Sequence, residues 1–349
     1  MKTLFSLLII NLCLYISLSK KPIVGILTHP IPDNPNSIEE GFISLNYAKW
    51  IEAAGGEIVP IHSWLNENEL DEILNKVNGV LFQGGSASLD FNAPYYKISE
   101  KIFNKVIEMK NIYNKDLPLW ATCLGFEALN IIVSKDQNIL TIFDAEDIKS
   151  KLIIEDGINK SSKIFSYFSD EDIKNLREKD LTGQYHHFGV SPINFNNSKD
   201  LKNFFKISSY AEDRNKEIYI TSIEAKNYAI FATQFHPEKT NFIKFKQEVP
   251  QGIEASIIAD NFVNLFLNIA RENENFMNKE DRKKYGLINS FEKGIDIIGK
   301  SPSYIYKKSA YEDFVPISVS ESTKLYSNSS SDSSTDSFVN HYKNLKFLE

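Results

Sequence analysis

The sequence predicts an α/β protein in which helices flank a doubly wound, mostly parallel β-sheet. The first observation is a set of short apolar runs without polar alternation, a pattern typical of strands that are buried on both faces. The second is that segments with helical spacing of apolar residues separate these runs, as repeated βαβ units require. The third is the composition, because 349 residues with 42% apolar and 24% charged side chains exclude a fibrous repeat or wholesale disorder.

The chain begins with a segment typical of a secretory signal peptide. Lys2 precedes an apolar core that extends to Leu18, which is shorter than the roughly 20 apolar residues that span a bilayer. We therefore expect removal of residues 1–19 and entry into the secretory pathway, with a secreted, lysosomal or vacuolar destination. No later apolar run predicts stable membrane insertion. Cys13 is lost with this segment, so Cys123 is left as a single thiol that cannot form an internal disulfide.

Predicted strands and helices then alternate as far as about residue 133. One helical stripe of apolar residues runs from Phe42 to Ala54, and another runs from Ile98 to Met109. The predicted strands cover residues 22–28, 57–61, 79–82, 117–121 and 228–234. Ligands of such folds bind beyond the carboxyl ends of the strands, so we expect functional residues there.

The middle of the chain is more polar and less regular. We expect residues 140–225 to form edge strands, hairpins and loops that shape a substrate cleft. Residues 254–271 have apolar positions at helical spacing and predict a closing amphipathic helix.

The domain organisation follows from these patterns. We assign residues 20–275 to one α/β catalytic domain and residues 276–349 to a C-terminal appendage. The appendage is Ser-rich around residues 318–337, where we expect disorder because too little apolar surface can be buried. A short packed segment is expected near Tyr304 to Tyr311.

The charge balance narrows the class of partner. The formal net charge is −7 and no long basic run occurs, which argues against nucleic acid as a partner. No Cys/His cluster has the spacing of metal ligands, so we predict no metal and no cofactor. A small-molecule substrate is the expected partner.

Cys123 lies where a predicted strand turns into a helix. A buried run over residues 117–121 precedes it and an apolar helical run follows from Leu124, which is the layout of a nucleophile elbow. The free N–H groups and the positive end of the helix dipole favour the thiolate, so we expect a lowered pKa for this thiol. Gly125 allows close backbone approach. A buried, inert cysteine is the alternative.

A second element is a buried strand that runs into Gly84 and Gly85. No G-x-x-x-x-G-K-[ST] motif follows, so the pattern fails as a phosphate-binding loop. Next to a cysteine elbow, a backbone without side chains can direct an N–H at a tetrahedral oxyanion. We therefore predict Gly85 and Leu124 as oxyanion donors and Gly84 as a substrate-binding residue.

A third element follows the strand predicted over residues 228–234. His236 comes after that strand, Pro237 fixes the backbone, and Glu238 can accept a hydrogen bond from one imidazole nitrogen. A nucleophile, a base and an orienting carboxylate form a catalytic triad. The sequence thus predicts Cys123, His236 and Glu238 as catalytic residues.

These elements resemble the class I glutamine amidotransferase-like fold and, in detail, the γ-glutamyl hydrolases, which are folate-type cysteine peptidases. The resemblance covers about residues 21–273. It rests on Lys21-Pro-Ile-Val-Gly-Ile-Leu, Tyr47-Ala-Lys-Trp-Ile-Glu-Ala-Ala-Gly-Gly, Thr122-Cys-Leu-Gly-Phe-Glu and Gln234-Phe-His-Pro-Glu-Lys239. On the matching positions it implies a nucleophile at Cys123, a catalytic histidine at His236 and a third member at Glu238.

The resemblance also implies a further histidine in the substrate cleft. In the run Tyr185-His-His-Phe, His186 fits that place better than His187, and a pair of surface histidines is the alternative. Two residues depart from the family pattern. Gln83 stands where the family usually has proline before Gly-Gly, and Ala121 stands where glycine commonly opens the elbow. Both can alter the geometry of the oxyanion site, but neither removes a reacting group.

The activity that the resemblance implies is hydrolysis of γ-glutamyl bonds, in particular those of folate poly-γ-glutamates, through a γ-glutamyl thioester on Cys123. One alternative is a glutaminase-type amidohydrolase that acts on glutamine or other γ-glutamyl amides. Another is a catalytically silent secreted binding protein on the same fold. The oligomeric state stays open, with a homodimer as one option.

Overall fold

The computed structural model of the chain describes residues 21–31, 40–243, 246–286, 296–298 and 301–307. The expected signal peptide at residues 1–19, with Cys13, lies outside the described residues. So does the Ser-rich stretch at residues 318–337.

The described residues form strands and helices in the order that the sequence predicts for an α/β fold. The strands are β1 (Ile23–Leu27), β2 (His29–Pro30), β3 (Glu40–Ser44), β4 (Glu57–Ile61), β5 (Gly79–Phe82), β6 (Leu119–Thr122), β7 (Leu140–Ser150), β8 (Thr182–Val190), β9 (Phe205–Glu212), β10 (Ile218–Ala225), β11 (Ile230–Thr233), β12 (Asp296–Ile298) and β13 (Ser301–Lys307). The helices are α1 (Leu45–Ala53), α2 (Glu67–Leu74), α3 (Pro94–Tyr113), α4 (Leu124–Ser134), α5 (Ile158–Ser161), α6 (Asp170–Glu178), α7 (Pro192–Asn197), α8 (Lys199–Phe204), α9 (Ile253–Glu272) and α10 (Lys279–Lys284).

The central sheet has seven strands in the order β4-β1-β5-β6-β11-β10-β9. The first five are parallel, and β10 and β9 continue the sheet in antiparallel pairing. Helices cover both faces. The predicted fold class, a mostly parallel sheet flanked by helices, is confirmed.

Alternate side chains of the parallel strands enter two hydrophobic cores, one on each face of the sheet. In β1, Ile23 and Leu27 belong to one core, whereas Val24 and Ile26 belong to the other. Helices α2, α3 and α4 contribute to the first core, and α1 and α9 contribute to the second. Burial on both faces explains why these strand sequences lack polar alternation.

Helix α9 closes the second core, as its amphipathic pattern predicts. Phe262 and Phe266 pack on the fully buried Trp120 of β6, with ring centroids 5.9 and 6.2 Å away. Among the described residues, this helix is the one with the length and apolar composition of a membrane span, and half of its most apolar stretch is buried inside the protein.

The polar middle of the chain builds a second layer beside the carboxyl edge of the sheet. Strands β7 and β8 pair as an antiparallel ribbon, and β9 and β10 form the antiparallel edge of the central sheet. The edge strands and hairpins expected over residues 140–225 are therefore present.

Two segments beyond residue 275 pack against the domain. In α10, Arg282 forms an ion pair with Glu57 of β4 at 2.7 Å. Strand β13 pairs antiparallel with β3 in a sheet of order β12-β13-β3-β2, and its Tyr304 and Tyr306 are buried. The assigned boundary at residue 275 stays a prediction, and part of the expected appendage contributes to the hydrophobic core.

Candidate active site

Cys123 lies at the carboxyl edge of the sheet, between β6 and the first residue of α4. Its backbone has φ 52° and ψ −108°, a region that residues with a side chain seldom occupy. Its N–H donates to the Thr233 carbonyl of β11 at 2.8 Å, and its carbonyl accepts the Glu127 N–H at 3.0 Å. These bonds hold the strained conformation of a nucleophile elbow.

Gly125 lets α4 pack directly against β5 below the elbow. A Cβ at this position would lie 2.6 Å from the carbonyl oxygen of Phe82, which is closer than real Cβ contacts come. The same Cβ would lie 3.2 Å from the Cβ of Ala121. The methyl group that Ala121 has in place of a glycine therefore fits because residue 125 has no side chain. The close approach expected at Gly125 is therefore present.

His236 and Glu238 form a buried pair just beyond β11. The Nδ1–H of His236 donates to Oε1 of Glu238 at 2.7 Å, and the two residues are 5% and 0% exposed. The backbone N–H of His236 donates to the Gly183 carbonyl of β8 at 3.1 Å, which fixes the turn that begins at Pro237. With Nδ1 bonded to the carboxylate, Nε2 is the nitrogen that can accept a proton. Nε2 is buried and has no hydrogen-bond partner among the described residues.

Three side chains converge on Gly84. A Cβ at Gly84 would lie 2.8 Å from Cε1 of His236, 2.9 Å from the hydroxyl of Tyr47 and 3.1 Å from the Cβ of Cys123. The predicted nucleophile and base therefore meet at the glycine loop that follows β5. Tyr47 belongs to the apolar stripe of α1, and nothing in its sequence surroundings distinguishes it from a core residue.

One of the two backbone N–H groups in the glycine loop has no hydrogen-bond acceptor among the described residues. The Gly84 N–H donates to the Tyr47 hydroxyl at 2.8 Å, whereas the Gly85 N–H has no acceptor among the described residues. Gly85 lies on the ring of His29, since a Cβ there would be 2.9 Å from its Nε2. Leu124 is the first residue of α4, where backbone N–H groups have no intrahelical partner. Both predicted oxyanion donors thus remain candidates.

The pKa expected for Cys123 is wrong in direction. Burial raises the pKa of the thiol above its usual value, and the nearby carboxylate of Glu127 raises it further. Lys239 and the N–H of Leu124 favour the thiolate but do not compensate. Burial, followed by Lys239, lowers the pKa of His236 against the opposing effect of Glu238. The resting pair is therefore a neutral thiol and a neutral imidazole.

Tyr185 and two lysines form a second group beside the histidine. The Tyr185 ring meets the His236 ring edge to face at 5.5 Å. The amines of Lys239 and Lys246 lie 3.8 and 5.7 Å from the centre of the Tyr185 ring. Only the tertiary structure brings the Tyr185 ring to these two amines, because β8 and the segment that carries both lysines are distant in sequence.

His186 lies on the opposite face of β8 from Tyr185. Its Nδ1–H donates to the Phe188 carbonyl at 2.8 Å, its Nε2 lies 3.1 Å from Oε1 of Gln184, and its ring packs on Tyr219. Burial lowers its pKa to about 3. Both ring nitrogens are engaged by groups of its own strand. Its substrate-binding role stays a prediction.

Glu127 is a buried carboxyl group one turn into α4. It accepts a hydrogen bond from Nε2 of Gln234 at 3.0 Å, and burial raises its pKa to about 8. The ionised form of this carboxyl group is the one that raises the pKa of the Cys123 thiol. Among the described residues no group of three or more His, Cys, Asp or Glu side chains is placed to hold a metal ion.

The sequence of the chain also matches a family profile. The Peptidase C26 profile matches residues 22–238, from the start of β1 to Glu238, and so includes Cys123 and His236. The chain belongs to the Peptidase C26 family.

Curated relatives of this Peptidase C26 member include γ-glutamyl hydrolases from plants and animals. It is 34% identical over 263 residues to γ-glutamyl hydrolase 1 of Arabidopsis thaliana, covering 74% of each chain. It is 32% identical over 278 residues to the γ-glutamyl hydrolase of Rattus norvegicus, covering 78% of this chain and 85% of the relative. A solved structure, PurLQS from Thermotoga maritima, has a TM-score of 0.44 at 13% identity and covers 72% of this chain and 98% of its own.

Proposed function

We propose that the protein is a cysteine-type γ-glutamyl hydrolase that uses Cys123 as its nucleophile. The observation that supports this most is the convergence of Cys123 and His236 at Gly84, with Glu238 bonded to the histidine, in a member of the Peptidase C26 family. Relatives at 34% and 32% identity are named γ-glutamyl hydrolases.

The first half of the proposed reaction forms a thioester. Nε2 of His236 accepts the thiol proton of Cys123 as sulfur attacks the γ-carbonyl carbon of the substrate. The resulting oxyanion accepts hydrogen bonds from the N–H groups of Gly85 and Leu124. The imidazolium then gives its proton to the leaving amine as the C–N bond breaks. Glu238 holds the Nδ1–H tautomer and stabilises the imidazolium.

The second half hydrolyses the thioester. His236 takes a proton from a water molecule as its oxygen attacks the thioester carbonyl, and it returns that proton to the departing sulfur of Cys123. The products are the neutral thiol and a γ-carboxylic acid, which releases its proton to solvent as the free γ-carboxylate. This cycle fits the raised pKa of Cys123 and the lowered pKa of His236, since both groups start uncharged.

Within this activity, poly-γ-glutamyl chains such as those of folate polyglutamates are the proposed substrates. Each residue of such a chain has a free α-carboxylate, so the substrate is a polyanion. Lys239 and Lys246, grouped around Tyr185 beside the histidine, support this choice in a protein whose net charge is −7.

The direct test is mass spectrometry of the purified protein with a folate polyglutamate, a γ-glutamyl dipeptide and free glutamine in parallel. We expect cleavage of the first two by the wild type and none by Cys123→Ala, with circular dichroism confirming that the variant is folded. Hydrolysis of glutamine alone would replace the proposal with a glutaminase. A wild type inactive on all three favours the silent binding protein.

The polyanion proposal has its own test in substrate length. We expect Lys239→Met and Lys246→Met to raise KM for a pentaglutamate by about two- to fivefold, and to change KM for a diglutamate less, because each removes one partly screened charge pair. Lys97→Met, an exposed lysine of α3, is the control and leaves both constants unchanged. Equal effects on both substrates would contradict the proposal.

We also propose that the protein enters the secretory pathway through its N-terminal apolar segment. The basic start and the short apolar core that precede Ser19 support this assignment. N-terminal sequencing of the protein recovered from its native cells should find a mature chain that starts near residue 20. A chain that retains Met1 would contradict it.

A further inference from the structure

Gln83 is a buried side chain that the reaction above does not use. It directly follows β5, precedes Gly84 and stands where the family pattern usually has proline. Its side chain is 0% exposed and makes three hydrogen bonds to backbone groups, each 3.0 Å long. A buried amide with this many partners has one well-defined orientation.

The three bonds join two other strands to the end of β5. Nε2 of Gln83 donates to the carbonyls of Leu27, the last residue of β1, and Phe42 of β3. Oε1 accepts the N–H of Ser44, where β3 ends and α1 begins. The backbone carbonyl of Gln83 accepts the Nε2–H of His29 in β2 at 3.1 Å. The side chain and the backbone of one residue therefore contact three neighbouring strands.

The next two residues are the glycine loop on which the mechanism depends. Gly84 donates its N–H to Tyr47, which lies in the first turn of α1, just after Ser44. Gly85 lies on the ring of His29. Gln83 forms hydrogen bonds with both Ser44 and His29. It therefore helps to position the start of α1, which contacts Gly84 through Tyr47, and the His29 ring, which contacts Gly85.

We propose that Gln83 is a positioning residue that sets the direction of the Gly85 N–H relative to Cys123, through its bonds to β1, β2 and β3. The inference rests on the proposed function, because the role it assigns is a role in that reaction. An oxyanion donor acts only at about 2.7–3.1 Å from the oxyanion, and losing one lowers kcat by about 10²- to 10³-fold. A displaced loop loses part of this stabilisation, whereas substrate binding in the ground state is little changed.

The test uses the full-length protein and a γ-glutamyl dipeptide. Gln83→Met removes the three side-chain bonds with little change in volume. We expect kcat to fall by about tenfold or more while KM changes by less than about twofold. Alkylation of Cys123 by iodoacetamide forms no oxyanion, so its rate should stay within about twofold of the wild type.

Asn78 provides a matched control at the other end of the same strand. It directly precedes β5, is 1% exposed, accepts the Ile23 N–H at 2.9 Å and donates to the Asn275 carbonyl at 2.7 Å. Asn78→Leu therefore leaves buried backbone groups unpaired, as Gln83→Met does, but far along β5 from the glycine loop. We expect a comparable loss of thermal stability with kcat unchanged.

A second variant covers the case in which Gln83→Met does not fold. Ser44 has φ −64°, which suits proline, so Ser44→Pro removes the N–H that Oε1 of Gln83 accepts without changing Gln83 itself. We expect kcat to fall by about fivefold with KM unchanged. If both Gln83→Met and Ser44→Pro keep the wild-type kcat, or if Asn78→Leu loses as much, the positioning role is refuted. A wild type without γ-glutamyl hydrolysis would instead refute the proposed function, and the role with it.

Discussion

Adding a single methyl group at Gly84 tests whether Cys123, His236 and Tyr47 act as one site. The Cβ of Gly84→Ala would meet Cε1 of His236 at 2.8 Å, the Tyr47 hydroxyl at 2.9 Å and the Cβ of Cys123 at 3.1 Å. Cys123 and His236 act in the proposed reaction and the Tyr47 hydroxyl accepts the Gly84 N–H, so the strain cannot be relieved without moving one of them.

The size of the effect follows from these distances. Ordinary van der Waals contact begins near 3.4 Å, so the neighbours or the loop must shift by about half an ångström. A 1 Å misplacement of catalytic groups costs about 10²-fold in rate. We therefore expect kcat/KM to fall by at least about tenfold, which corresponds to about 1.4 kcal/mol of transition-state stabilisation.

The assay is kcat/KM for a γ-glutamyl dipeptide, with thermal unfolding measured on the same samples. Gly79→Ala is the control, because it adds a methyl at the other end of β5, 3.1 Å from Cζ of Phe266 in the core. That variant should change stability but not kcat/KM. A folded Gly84→Ala protein with kcat/KM within about twofold of the wild type would show that the three side chains do not act together at this glycine.

Three further predictions concern the carboxyl groups and the C-terminal strand. Glu238→Gln removes the anionic acceptor of the His236 Nδ1–H, so kcat should fall by about 10⁴-fold, and a fall of less than about tenfold would contradict the triad. Burial raises the pKa of Glu127 from 4.5 to about 8, so the folded protein keeps a proton that the unfolded chain has lost. The free energy of unfolding from urea titrations should therefore decline as pH rises from about 4.5 through about 8, and Glu127→Gln should flatten that decline; an unchanged slope would show that Glu127 does not contribute. Tyr306→Ala removes a ring that packs edge to face on His62, with the ring centroids 5.1 Å apart, and should lower the free energy of unfolding by about 3 kcal/mol. The control is Ile253→Ala, at a position that is 78% exposed, which should lower the free energy of unfolding by less than about 0.5 kcal/mol.

Much of the fold could be predicted because its evidence is local in sequence. The strands of the parallel sheet are short apolar runs, and their burial on both faces removes the polar alternation that a half-exposed strand needs. The pairing of β13 with β3 has no local sign in the sequence, because most of the chain separates the two strands.

Those parts of the site that are built by residues close together in the chain could be predicted. A strand, a turn and a helix suffice to predict the elbow at Cys123, and the two-residue spacing from His236 to Glu238 suffices to predict their 2.7 Å hydrogen bond. The tertiary structure alone decided which distant groups complete the site. Tyr47 lies 189 residues from His236, and nothing in the sequence near Gln83 predicts its contacts with β1 and β3. The tertiary structure also decided the direction of the pKa shift of Cys123. The helix N-terminus, which lowers the pKa of a thiol, can be recognised in the sequence. The burial that raises the pKa and outweighs it depends on the packing of the whole domain.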